Sequence, residues 1–249
     1  KAGIFKPGRA AVIGECEPRI RDLLADHARR AGASEVRIAS EEIRFGRIEV
    51  ADGGTTCHFT WKRRDAELTT PLAGRHQAAN LAFALVMLDA AGERFRVGID
   101  DAASDLRRVR IPGRFQHIGR FIFDVAHNPA GSDVLAQTIR TVAPDRPVTV
   151  LLCVLRDKDW RAMLHALAPV ANRFVLTMAP TAPASRAWDL REALRFAQGI
   201  GVRADAIEDF DAALTAAQEN AGTVVVTGSF HTVGDAMERL QVSPLAWPA

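Results

Sequence analysis

The second half of this sequence predicts an α/β fold built on a mostly parallel sheet, and three observations carry that prediction. From about residue 112 onward, apolar segments alternate with helix-patterned ones in regular order. The apolar segments "RFIFDVA", "VTVLLCVL", "RFVLTMA" and "TVVVTGS" run almost without a polar break, as strands covered on both faces do. Polar residues able to do chemistry collect where these strands stop. "VRADAI" is a further strand candidate, and "DWRAMLHALAPVA", "LREALRFAQ" and "DFDAALTAAQEN" are the helices between.

The first half follows a different plan. After "AAVIG", the stretch "PRIRDLLADHARRAG" predicts a helix, with Pro18 early and Gly32 as its stop. "EVRIAS" predicts a strand. Residues 43 to 70 alternate around turn signals such as Asp52-Gly53-Gly54, which predicts a β-meander. "GRHQAANLAFALVMLDAAG" places Leu81, Leu85 and Leu88 on one helical face, and "GIDDAASDLRRV" predicts another helix. Proline and glycine in "IPGRFQ" then mark a domain boundary near residue 111.

Bulk properties narrow the function. With 249 residues the chain holds one large domain or two ordinary ones, and 48% hydrophobic with 25% charged residues is globular composition. A net charge of +2 argues against a strongly electrostatic partner such as nucleic acid. Cys16, Cys57 and Cys153 show neither disulfide-framework nor zinc spacing. No apolar run reaches membrane length and no signal peptide is visible, so a cytoplasmic protein is expected.

The chemistry-bearing clusters sit at strand ends. In "FIFDVAHNPAGSDVLAQTI", Phe121 to Phe123 form a strand, and Pro129 occupies a first helical turn, where its missing N–H costs nothing. Asp124, His127 and Asn128 therefore fall in the loop at a strand's carboxyl end, where open α/β sheets bind ligands. The structural alternative, with Asn128 a helix cap and Asp124 a strand terminator, stays open. "CVLRDKDW" puts Arg156 to Asp159 after another strand, and "GSFHTVGDAMERL" puts Gly228, Ser229, His231 and Thr232 before the last helix. Arg114 in "PGRFQ" is either a phosphate clamp or a surface ion-pair partner.

Taken in order, "KAGIFKPG", "GRHQAAN", "IPGRFQ", "FDVAHNP", "LRDKDW" and "GSFHTV" resemble successive signature stretches of one family. It is the bacterial dihydrofolate synthase/folylpolyglutamate synthases of the Mur ligase superfamily. The resemblance runs from Lys1 to about Leu240, with "DVAHNP" and "GSFHTV" the most specific pieces. It implies an ATP-dependent ligase that joins L-glutamate to dihydropteroate and to folates through an acyl phosphate, with Mg2+ as cofactor. It also implies the architecture. Residues 1–111 would be the remnant of a Mur-ligase-type ATPase domain, and 112–249 a Rossmann-like, mostly parallel-sheet glutamate-ligase domain, with the active site between them.

By motif position, Asn80, Arg114 and Asp124 would contact ATP. An amide both donates to and accepts from an adenine edge, and a carboxylate accepts from ribose hydroxyls. Arg114 would stabilise charge on the transferring phosphoryl group. His127, the second catalytic candidate, and Ser229 would lie near the glutamate and the acyl phosphate. Lys1 matches a lysine that is carbamylated near magnesium, a change that turns a cation into an anion. ATP, dihydropteroate or folate, and L-glutamate are the expected partners, without nucleic acid or membrane, and the complete protein is expected to be a monomer.

One departure is large. No G-x-x-x-x-G-K-[ST] loop occurs. The expectation is that this is a C-terminal piece whose phosphate loop and folate-binding loops lie upstream, inactive alone and with an exposed sheet edge in its first hundred residues. A ligase acting on a UDP-sugar peptide and a non-catalytic nucleotide-binding module are the rival readings. A dinucleotide-dependent oxidoreductase fits worst, since no strand is followed by G-x-G-x-x-G.

Overall fold

A computed structural model describes residues 2–14 and 16–245. The chain splits into two compact units. The first is Lys1–Val50, Gly54–Pro71 and Arg75–Val109, and the second is Ala51–Gly53, Leu72–Gly74 and Arg110–Ala249.

In the first unit, β1 (Ala10–Ile13) pairs in parallel with β2 (Glu35–Ile38), with Ala10 opposite Glu35. Between them runs α1 (Pro18–Arg30), entered by proline at its first position. After the single turn α2 (Ala39–Glu42) comes the meander of β3 (Ile43–Ala51), β4 (Gly54–Trp61) and β5 (Arg64–Thr70). Alternation along β4 and β5 turns Cys57, Phe59, Trp61 and Leu68 inward. They share a core with Leu81, Leu85 and Val86 of α3 (His76–Ala90) and with Ala102 of α4 (Ile99–Leu106). Leu88 departs from the expected shared face and is 37% exposed. Charge anchors the last turn of α3 instead: the Asp89 carboxylate meets Lys62 at 2.6 Å, Arg37 at 2.9 Å and Arg96 at 3.2 Å. Burial alone would raise this carboxyl, but Lys62 and Arg37 hold it below its ordinary value.

The second unit is a three-layer α/β sandwich. Its strands are β6 (Gln116–Ile118), β7 (Phe121–Phe123), β8 (Val148–Leu152), β9 (Arg173–Leu176), β10 (Ala204–Ala206) and β11 (Thr223–Thr227). They lie in the order β10-β9-β8-β11-β7-β6 and are parallel, except that β6 runs antiparallel to β7. Every residue of β8 and β11 is buried, which explains their uninterrupted apolar sequence. Side chains alternate between faces. Ile122, Val150, Leu152 and Val225 pack under α5 (Pro129–Val142), α6 (Trp160–Leu167) and α7 (Leu190–Gly199). Phe123, Leu151, Val224 and Val226 pack under α8 (Phe210–Gln218) and α9 (Phe230–Arg239).

The registers bring the ends of the central strands level, since Val226 lies opposite both Phe123 and Leu151. Loops leaving β7, β8 and β11 therefore emerge side by side. No helix among the described residues is long and apolar enough to cross a membrane.

Candidate active site at the strand ends

Three segments of the second unit are laced together by backbone hydrogen bonds at the carboxyl ends of β7 and β11. Val125 N–H donates to Gly113 O at 2.9 Å, tying the loop after β7 to the turn before β6. Gly228 N–H donates to Ala126 O at 3.0 Å, tying it to the loop after β11. The sheet thus puts "PGRFQ", "DVAHNP" and "GSFHTV" in one place, although they are far apart in sequence.

Asp124 stands at the junction. Its Oδ2 accepts from Phe115 N–H and its Oδ1 from Ala126 N–H, both at 2.9 Å. Burial pushes the carboxyl up to about 6, against the opposing pull of those N–H donors and of nearby Arg114 and His127. Arg114 is exposed and makes no side-chain hydrogen bond or ion pair among the described residues. Of its two sequence readings, the surface ion-pair partner is the one the structure does not realise.

His127 Nδ1 lies 2.9 Å from Val125 O. A carbonyl oxygen only accepts, so Nδ1 carries the proton and Nε2 keeps a lone pair in the neutral ring. The ring packs against Phe230, with centroids 6.0 Å apart. Asn128 caps α5, its Oδ1 accepting from Gly131 N–H at 2.8 Å.

Ser229 serves α9 in the same way, and its hydroxyl accepts from Thr232 N–H at 3.1 Å. Thr232 Oγ1 donates to Cys153 O at 3.0 Å, so in the 2.7 Å contact between the two hydroxyls Ser229 is the donor. Its proton is therefore committed locally, and one lone pair remains for a ligand.

The loop after β8 is organised by charge. Asp157 accepts from Arg186 at 2.7 and 2.8 Å, which holds its carboxyl below the ordinary value, and Asp159 caps α6. Arg156 is exposed beside them.

Asn80 belongs to the first unit, on the exposed side of α3, where its amide donates to Gln77 Oε1 at 3.0 Å. Lys1 lies outside the described residues. Among those described, no three His, Cys, Asp or Glu side chains converge to hold a metal ion.

The sequence did not reveal the roles of Gln116 and Phe230. Gln116 is fully buried, accepting from Gly113 N–H at 3.1 Å and donating to Pro244 O at 3.1 Å. Phe230 is 63% exposed beside His127. The only signal for either was its place inside a quoted stretch. A cleft of about 530 Å3 opens elsewhere on this unit, lined by Arg120, Asp145 and Thr223 among others. These residues precede or begin strands, so it is at the wrong end of the sheet for an α/β ligand site.

Residues 113–230 match the model of the Mur ligase, glutamate ligase domain. A dihydrofolate synthase/folylpolyglutamate synthase from Escherichia coli is 31% identical over 247 residues, 96% of this chain and 53% of the relative. One from Mycobacterium tuberculosis is 33% identical over 192 residues, 71% of this chain and 39% of the relative. The chain thus spans about half or less of these relatives' length.

Among solved structures, M. tuberculosis folylpolyglutamate synthase complexed with ADP superposes with a TM-score of 0.85 at 30% identity, covering 98% of this chain and 58% of that one. E. coli FolC in complex with DHPP and ADP gives 0.79 at 27% identity, covering 97% and 55%. A bifunctional synthase with Mn, AMPPNP and L-glutamate bound gives 0.76 at 27%, covering 97% and 56%. Residues 113–230 are therefore similar to the Mur ligase, glutamate ligase domain, and the chain is similar over most of its length to dihydrofolate synthase/folylpolyglutamate synthases.

Proposed function

We propose that this protein is an ATP-dependent ligase of the cytoplasm, which adds L-glutamate to dihydropteroate and to folates through an acyl phosphate. Residues 112–249 are assigned to the glutamate-ligase part and 1–111 to the ATPase part. The observation that carries the reading is the lacing, at level strand ends, of the three segments that carry Arg114, Asp124 with His127, and Ser229, inside a stretch matching a glutamate ligase domain. The nucleotide, the metal ion and the glutamate bound by related structures point the same way.

In the first step a substrate carboxylate oxygen attacks the γ-phosphorus of ATP and ADP leaves. Arg114 is an exposed cation with no side-chain hydrogen bond or ion pair among the described residues, suited to negative charge on the transferring group. Next the glutamate amine attacks the acyl carbon, phosphate departs and an amide forms. His127 offers Nε2 to the amine's proton, because its other nitrogen is held protonated on Val125 O. Asn80 and Asp124 are assigned to the ATP side, and Ser229 to the glutamate and acyl-phosphate side. A divalent ion bound with ATP would neutralise phosphate charge.

An isotope experiment tests the path. In the complete natural polypeptide, dihydropteroate labelled with 18O in its carboxylate should deliver one 18O to the released phosphate. Phosphate free of label would exclude the acyl phosphate.

A further inference from the structure

Three helices of the second unit open on an aromatic side chain directly after their cap. Trp160 follows Asp159 into α6, Phe210 follows Asp209 into α8, and Phe230 follows Ser229 into α9. Trp160 and Phe210 are core residues, 5% and 3% exposed, whereas Phe230 is 63% exposed. Helical spacing does not account for the difference. Phe230 stands three residues before Val233 and seven before Met237, which are both buried against the sheet. What the ring meets instead is the His127 imidazole, with centroids 6.0 Å apart and planes tilted by 36°. The backbone ties the two together, since Gly228 N–H donates to Ala126 O at 3.0 Å, beside His127 and two residues before Phe230. The imidazole's own hydrogen bond among the described residues is that of Nδ1 to Val125 O at 2.9 Å. One such bond leaves a ring able to swing about it, and the direction of Nε2 swings with the ring.

We propose that Phe230 is a positioning residue for His127. Its ring bears on the imidazole, stops that swing and keeps the Nε2 lone pair aimed at one place. There the glutamate amine gives up its proton to Nε2 as the amide forms. A flat aromatic face suits the task, because two rings in contact restrict each other's tilt. The inference rests on the proposed glutamate ligation with His127 as its base.

A double-mutant cycle in the complete natural polypeptide tests it, with Phe230→Ala, His127→Ala, the pair, and Phe230→Tyr as the conservative replacement. Phe230→Ala should lower kcat at least about tenfold, with KM for ATP and for glutamate changed less than about threefold. Phe230→Tyr keeps the flat face and should stay within about threefold of wild type. Adding Phe230→Ala to His127→Ala should cost less than about twofold more. Multiplicative losses, an effect carried wholly by KM, or a tyrosine variant as slow as the alanine one would overturn the proposal. Absence of glutamate ligation in wild type, or full activity in His127→Ala, would instead sink the functional reading beneath it.

A second measurement needs no turnover. In the ligand-free polypeptide, NMR should show the His127 Nδ1 proton exchanging with water at least about fivefold faster in Phe230→Ala than in wild type. The freed ring leaves Val125 O more often. Because Phe230 lies outside the core, the variant's Tm should stay within about 2 °C of wild type. Equal exchange, or a larger fall in Tm that marks the ring as structural, would overturn the assignment.

Discussion

Replacing Gly228 by alanine should unfold the second unit several degrees earlier than in wild type. Gly228 has φ +108°, a region closed to alanine, and an added Cβ would lie 2.3 Å from Cys153 O and 2.9 Å from Cys153 C. Neither neighbour has room to retreat. Both are backbone atoms at the end of buried β8, and the same Cys153 carbonyl accepts the Thr232 hydroxyl at 3.0 Å.

Backbone strain of this kind costs roughly 1–3 kcal/mol. Moving the loop also loosens the Gly228-to-Ala126 bond and the Thr232-to-Cys153 bond, at about 1 kcal/mol each. The sum is about 3–5 kcal/mol, or a fall of about 8–15 °C in Tm for a unit of this size.

Gly119→Ala is the matched control, with φ +59° and nothing within 4 Å of the new Cβ. It carries only the left-handed penalty of roughly 1–2 kcal/mol. Thermal unfolding followed by circular dichroism separates the two. Equal shifts, or a Gly228→Ala chain within about 2 °C of wild type, would refute the close approach of the two loops.

Three further outcomes follow from the same geometry. Arg114→Ala in the complete natural polypeptide should lower turnover at least about tenfold, as loss of one transition-state contact does; unchanged kinetics in a folded variant would remove Arg114 from the chemistry. His127→Ala should impair ligation while nucleotide affinity, measured by calorimetry, stays within about threefold; an equal loss of affinity would place His127 at the nucleotide instead. Asp124 also makes stability depend on pH. Burial raises its folded pKa to about 6, above the ordinary value of 3.8, so the native state binds the extra proton between them. The stability this contributes is full below about pH 4 and lost as pH rises through about 6, at most about 3 kcal/mol. Asp89, Asp157 and Asp189 are shifted downward, act below that window and are shared by both proteins compared. Denaturant unfolding of wild type and Asp124→Asn should therefore differ in slope only between about pH 4 and 6, and parallel curves would contradict the burial of the carboxylate.

The parts of this fold legible in the sequence were those that bury whole strands. "VTVLLCVL" and "TVVVTGS" could only be covered on both faces, and β8 and β11 are. Pro18 and Pro129 likewise announced α1 and α5 by a rule internal to the helix. β6 was not legible, because Gln116-His117-Ile118 is three residues long, polar in part, and strand-like only through its pairing with β7.

The same distinction runs through the site. That Asp124 and His127 end a strand could be read from the chain. The engagement of Asp124 with Phe115, nine residues away, could not, nor could the fixing of the His127 proton by Val125 O. Leu88 failed for a related reason: helical periodicity says which residues share a face, whereas whether anything covers the face is tertiary.

The most direct test of the proposed activity is glutamate incorporation. The complete natural polypeptide carrying this chain would be incubated with ATP, magnesium, dihydropteroate and labelled L-glutamate, and the products separated by chromatography. The account predicts labelled dihydrofolate in an amount equal to the ADP formed. Label transferred to a UDP-sugar peptide while dihydropteroate stays untouched would contradict it.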